Sequence, residues 1–253
     1  MTNHNEKYLR IAGVKVGVAS PDVAVNQLIE SVKQSENKSV HFINAYTLSL
    51  TAKDEELREC LNQASVNYPD GKPLSWIGRI RDFDTQQVRG PETFERVLDE
   101  GRTDNLKHFL LGGSPKTLEL LVAAIKQKYQ GIQIVGAYSP PFRELTRAEQ
   151  DEQDQRIRSS GADIVWVGLG TPKQDFETNR LTNAVPVTAA AVGAAFDFTA
   201  GTKRVAPHWI SKAGFEWFFR LLTEPRRLWK RYTVGNVRFI RATLENWNND
   251  SPS

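Results

Sequence analysis

The chain has 253 residues, 40% of them apolar and 25% charged, and a formal net charge of +3. These proportions describe a globular chain with a sizeable core and exclude a disordered or fibrous one. One cysteine, Cys60, excludes an internal disulfide framework, and no apolar run approaches the ~18 residues of a membrane span.

The N-terminus MTNHNEKYLR lacks the basic and apolar regions of a secretory signal, so a cytoplasmic location is expected. Charge is unevenly spread. Between Lys203 and Arg241 ten Lys and Arg stand against Glu216 and Glu224 alone. That excess implies an anionic partner at the C-terminal end.

In chain order, residues 8–18 (YLRIAGVKVGV) read as a strand or hairpin. Ser20-Pro21 then opens a helix with Val25, Leu28, Ile29 and Val32 on one face. Ser39 to Ala45 is a short buried strand ending at Asn44, and one helix is expected from there to about Ala64. On it Cys60 shares a face with Leu57, Leu61 and Ala64, which reads as a core thiol. Val66 to Tyr68 runs into the turn Pro69-Asp70-Gly71. Helices are expected over Pro73–Arg81 and Pro91–Glu100.

A regular alternation follows. Strand His108–Leu111 ends in Gly112-Gly113 and leads to helix Pro115–Tyr129. Strand Ile132–Val135 ends in Gly136, with helix Arg147–Ser159 behind it. Two more apolar runs, ADIVWVGLGTPKQDFE and VTAAAVGAAFDFTAG, lack polar alternation and read as strands covered on both faces. They end in glycine turns at Gly168, Gly170 and Gly193. Strands alternating with helices predict a Rossmann-like, mostly parallel α/β sheet flanked by helices. Ligands of such sheets bind beyond the carboxyl ends of the strands.

Past Gly201 the character changes. Phe215, Phe218, Phe219 and Leu222 make an apolar stripe, Pro225 restarts a helix, and Arg227, Arg231 and Arg238 share one side of it. Basic residues interleaved with aromatics suit a headgroup layer of anionic lipid; the plain alternative is a core stripe with a solvated charged face. The expected division is a core over 1–201 and a helical, membrane-associating appendage over 202–247. Residues 248–253 are expected to fray.

Asp70 is the carboxylate placed to face a cleft, as a general base must be, although Pro-Asp-Gly is also an ordinary turn. Asp82 and Asp84 have the DxD spacing of metal-dependent sugar transferases but sit in a polar stretch, so no metal is assigned there and no cofactor is expected. The four histidines show no zinc-ligand spacing. Gly168-Leu169-Gly170 begins a dinucleotide fingerprint whose third glycine is missing. Lys173 offers a cation to phosphate and Gln174 an amide to a base or ribose, while Gly112-Gly113 is a candidate phosphate-facing turn. Arg204, Arg220, Arg226, Arg227, Lys230 and Arg231 suit a diphosphate. No RNP-type or helix-turn-helix signature points to nucleic acid.

Taken together, Asn44, Pro69-Asp70-Gly71, Val88-Arg89-Gly90, Leu111-Gly112-Gly113, the stretch Val167 to Gln174, Val192-Gly193, Arg204-Val205-Ala206-Pro207 and Glu216-Trp217 through Pro225 resemble the WecG/TagA/CpsF family of bacterial glycosyltransferases. The resemblance implies an inverting transferase that moves a sugar from a UDP-sugar to a polyprenyl-diphosphate-linked saccharide at the cytoplasmic face of the inner membrane. Asp70 takes the place of the family's base and Asn44 that of its acceptor-site asparagine. Gln174 takes the donor position, and Arg220, Arg227 and Lys230 or Arg231 take the places of the arginines thought to grip the diphosphate and the membrane. Three positions depart from the pattern. Phe42 stands where threonine is usual, and Gln87 where arginine is usual, which makes Arg89 the replacement candidate. Asp175 stands in place of glutamate. The family also implies self-association into a homo-oligomer. Phe42 and the variant PDGKPLSW lean the donor toward a hexose such as glucose or mannose rather than N-acetylmannosamine. Two alternatives stand: an NAD-dependent oxidoreductase, whose third glycine and acidic strand end are absent, and a non-catalytic adaptor, which leaves Asn44, Asp70 and Gln174 unexplained.

Overall fold

A computed structural model of the protein describes residues 7–203, 225–248 and 250; between 225 and 232 it describes the backbone and the side chain of Trp229. A two-stranded antiparallel hairpin, β1 (Tyr8–Ile11) and β2 (Val14–Gly17), precedes a six-stranded sheet. The sheet strands are β3 (Ser39–Ile43), β4 (Val66–Pro69), β5 (Lys107–Gly112), β6 (Gln133–Tyr138), β7 (Ile164–Gly168) and β8 (Thr188–Ala191). Their order is β4-β3-β8-β7-β5-β6 and every pairing is parallel. All six strands therefore deliver their carboxyl ends to one edge.

Helices cover both faces, as the unalternating strands require. On one face α1 (Pro21–Lys33), α5 (Gly90–Glu100) and α6 (Pro115–Lys128) pack with Phe42, Leu110, Trp166 and Phe196. Phe94 meets Trp166 edge-on at 4.9 Å and Phe196 at 5.7 Å. The opposite face takes α7 (Arg147–Ser160) and α8 (Lys173–Ala184) through Ile157 and Leu181 against Phe109, Val165 and Val167. Arg180 locks α7 to α8, meeting Asp154 with two bonds of 2.7 and 2.8 Å and Glu177 with bonds of 2.8 and 2.9 Å.

Two expectations about elements need correction. The single helix expected up to Ala64 is two, α2 (Ala45–Thr51) and α3 (Glu55–Gln63), because Asp54 accepts from the Leu57 amide at 2.9 Å and starts a new N-terminus. Strand β6 does not stop at Gly136. It continues to Tyr138 because Gly136 has no side chain to displace the Phe109 ring; a Cβ there would lie 2.4 Å from it.

After α4 (Lys72–Ile80) and α9 (Ala195–Thr199), the last described helix is α10 (Pro225–Asn246). Its Phe239 and Ala242 join one apolar cluster with Leu9, Ile11 and Val14 of the hairpin and Leu48 of α2. Gly235 lets α10 approach α2, since a Cβ there would sit 3.4 Å from Tyr46 and 3.5 Å from Ser49. Val237, Ile240 and Leu244 remain exposed. Among the described residues no helix is long and apolar enough to cross a membrane.

The expected fraying of residues 248–253 fails at Asp250, which is 3% exposed. Its carboxylate accepts from the Gly13 amide at 3.1 Å, and the Arg81 guanidinium donates to its carbonyl. Arg81 also donates to the carbonyls of Arg10 at 3.1 Å and Trp247 at 3.0 Å, and lies 4.1 Å from the Trp247 ring centroid. These long-range contacts were invisible in a polar terminal sequence.

Candidate active site

The parallel sheet brings nearly all the described candidate residues to its carboxyl edge. At one end lie Asn44, just past β3, and Asp70, just past β4. The Asp70 amide donates to the Ile43 carbonyl at 2.7 Å, and the Val88 amide donates to the Pro69 carbonyl at 2.9 Å. The Pro69-Asp70-Gly71 turn is thus held between the end of β3 and the segment leading into α5. Gly71 has φ +157°, and a Cβ on it would be 3.5 Å from the Asn44 Cβ. Asp70 and Asn44 are neighbours, both half-buried, with half-buried Arg89 following Val88 at the start of α5.

Asn44 is the N-cap of α2. Its carboxamide oxygen accepts from the amides of Tyr46 at 3.0 Å and Thr47 at 3.3 Å. Phe42 is buried in the core, against Gly90 and 5.8 Å from the Tyr68 ring.

The glycine turns lie toward the middle and far side of the same edge. Gly113 donates its amide to the Gly168 carbonyl at 3.2 Å, joining the ends of β5 and β7. Ser139 donates its hydroxyl to the Gly113 carbonyl at 2.7 Å. Gln174 is 5% exposed: its Oε1 accepts from the Gly170 amide at 3.0 Å and its Nε2 lies 3.4 Å from the Thr171 hydroxyl. The same Oε1 would be 3.5 Å from a Cβ at Gly193. Gln174 therefore braces the loop between β7 and α8 from beneath. Lys173, at the first position of α8, is exposed. The strand order separates Asp70 from the Gly168 turn by three strand spacings, about 14 Å.

Asp82 and Asp84 are exposed at the opposite end of α4 from Asp70. A helix of nine residues, ~13 Å, lies between. Among the described residues no group of three or more His, Cys, Asp or Glu is placed to hold a metal. Arg204 and Arg220 lie outside the described residues, as do the Phe215–Leu222 stripe and the side chains of Arg226, Arg227, Lys230 and Arg231.

The sequence reading missed a buried polar chain below this edge. His41 of β3 is 0% exposed; its Nδ1 is 3.1 Å from Asp175 Oδ1 and its Nε2 is 3.0 Å from Asn179 Oδ1. Asn179 Nδ2 donates to the Cys60 carbonyl at 2.6 Å and approaches its Sγ at 3.3 Å. Burial first, and Asp175 second, push the Cys60 thiol up to about 12, so it stays protonated and is no nucleophile. The available signal was Asp175 and Asn179 at i, i+4 on α8 facing a lone histidine in an apolar strand.

The model of the glycosyl transferase WecG/TagA/CpsF family matches residues 9–252. The chain belongs to that family. This WecG/TagA/CpsF member is thus a glycosyltransferase of cell-surface polymer synthesis, and its substrates are a sugar donor and an acceptor. The match runs from the hairpin through α10, so the helix docked on α2 is part of the transferase.

Proposed function

We propose that this glycosyltransferase moves a sugar from a UDP-sugar to a polyprenyl-diphosphate-linked saccharide, with inversion at the anomeric carbon. The observation that supports this reading best is the shared edge: a half-buried carboxylate, Asp70, at one end and a run of glycine turns beside Lys173 at the other. In the proposed reaction Asp70 takes the proton of the acceptor hydroxyl as that oxygen bonds to the anomeric carbon. The bond from that carbon to the diphosphate oxygen breaks on the opposite face, and its electron pair leaves with UDP. Asn44 offers its amide N–H2 and Arg89 its guanidinium to the acceptor. Gly112, Gly113, Gly168, Gly170 and Gly193 let the donor approach the backbone, and Gln174 holds that surface in place.

Lys173 and the arginines 204, 220, 227 and 231, with Lys230, stabilise the leaving diphosphate in place of a metal. On this account residues 1–201 form the catalytic core and residues 202–247 the appendage. The appendage completes the site and rests on anionic lipid at the cytoplasmic face of the inner membrane. The exposed row Val237, Ile240 and Leu244 on α10 favours such a contact; pairing of two copies is the other use of that row. The donor is a hexose or N-acetylmannosamine nucleotide.

A panel of UDP-sugars with a short polyprenyl-diphosphate-sugar acceptor tests the proposal, with and without EDTA. Transfer from one donor that survives EDTA is expected. Activity that requires added manganese would contradict the arginine account, and no transfer from any UDP-sugar would contradict the donor class.

A further inference from the structure

The chain Asp175–His41–Asn179 joins the two halves of the candidate site. His41 lies three residues before Asn44 on β3, and Asp175 follows Gln174 in the first turn of α8. Asn179 fixes where the hydrogens are. The Cys60 carbonyl accepts only, so the Asn179 atom 2.6 Å from it is the donating nitrogen. Its oxygen therefore faces His41 Nε2 at 3.0 Å, and Nε2 must carry a hydrogen. The remaining contact, Nδ1 to Asp175 Oδ1 at 3.1 Å, would set two acceptors against each other unless one more hydrogen lies between them. Whether that hydrogen sits on the ring or on the carboxyl, the pair has no net charge.

Neutrality matters because of where Asp175 is. The residue is 2% exposed, and its Oδ2 has no hydrogen-bond partner among the described residues. Among the described residues the one ion-pair partner of Asp175 is His41, and the first helical turn adds a partial positive charge. Buried charge is weakly screened, so an unbalanced carboxylate beside Gln174 would repel an anionic ligand on the loop above.

We infer that His41 and Asp175 are positioning residues: a one-proton, net-neutral pair that fixes β3 against α8 and keeps the floor of the donor site uncharged. The first part stands on geometry alone; the second rests on the proposal that the donor is a nucleoside diphosphate. The inference separates the roles of the two residues. An Asp175→Asn chain keeps every bond, because the new amide donates to His41 Nδ1 while Nε2–H still donates to Asn179. A His41→Gln chain removes the ring that offsets the carboxylate, which is then unbalanced wherever Asp175 is ionised. Removing both restores neutrality.

The test is UDP affinity by calorimetry for the full chain, His41→Gln, Asp175→Asn and the double variant, with nitrogen-15 NMR of the histidine rings. Asp175→Asn should bind within about threefold of the parent, and His41→Gln should bind about tenfold more weakly or worse. The double variant should recover to near the Asp175→Asn value. A double variant as weak as His41→Gln would overturn the charge argument, since a purely structural defect is not rescued by a second substitution. If His41→Gln fails to fold, the inference still requires the double variant to fold and to bind UDP. NMR of the parent should show His41 Nε2 protonated, and an unprotonated Nε2 would overturn the pair itself. A parent that does not bind UDP but shows that signature would refute the donor class and the floor-charge role while leaving the pair intact.

Discussion

Gly112 and Gly168 touch backbone to backbone: a Cβ on Gly112 would stand 2.5 Å from the Gly168 carbonyl oxygen. Gly112 also has φ +119°, where L side chains are strained. Gly168 in turn leaves room for the Phe196 ring, 2.6 Å from its would-be Cβ. The meeting of β5 and β7 at the carboxyl edge therefore depends on two absent side chains.

Gly112→Ala should cost at least about 2 kcal/mol, because strain and a backbone clash add. Gly131→Ala is the control: it shares a positive φ of +80° but meets nothing within 4 Å. Its cost should stay near 1 kcal/mol, roughly the conformational penalty alone. Urea midpoints compare them, and equal losses would refute the close-approach argument.

His108 gives a pH prediction. Its Nδ1 accepts from Trp166 Nε1 at 3.1 Å, so the ring is the Nε2–H tautomer, and burial pulls its pKa from 6.5 to about 4. The unfolded chain takes up this proton below the ordinary value while the folded chain does not. Stability from the neutral ring is thus complete above pH 6.5 and is lost as pH falls toward 4, by on the order of 3 kcal/mol. His108→Asn keeps an acceptor for Trp166 and should flatten that part of the stability curve. Parallel curves for parent and variant would contradict it.

The architecture and most element positions were legible in the sequence, for a physical reason. Strands such as IVWVG and TAAA are buried on both faces, and glycine marks the ends of β5 and β7. Proline at the first positions of α1, α5 and α6 marked the helix starts. Asp70 and Asn44 were found as strand-end residues, and parallel strands must share an edge. What could not be read depends on contacts distant in sequence. His41 reads as a solitary histidine because Asp175 lies 134 residues away. The bonds from Arg81 to Trp247 and Asp250 span 166 and 169 residues, so nothing near Arg81 in the sequence announces them.

Arg81 should govern the tail. Arg81→Ala removes the donors to Arg10, Trp247 and Asp250, together with the contact on the Trp247 ring. Amide hydrogen exchange should rise over the end of α10 while β5 stays protected. The global cost should be about 1–3 kcal/mol. Unchanged exchange at Trp247 would show that the helix is held without this residue.

The most direct test of the account is transfer by the Asp70→Asn chain, measured with donor binding in the same preparation. Loss of the base should lower turnover by about a hundred- to ten-thousandfold while UDP affinity and the urea midpoint stay near those of the parent. A variant that kept most of its turnover would contradict Asp70 as the base, and with it the proposed reaction at this edge of the sheet.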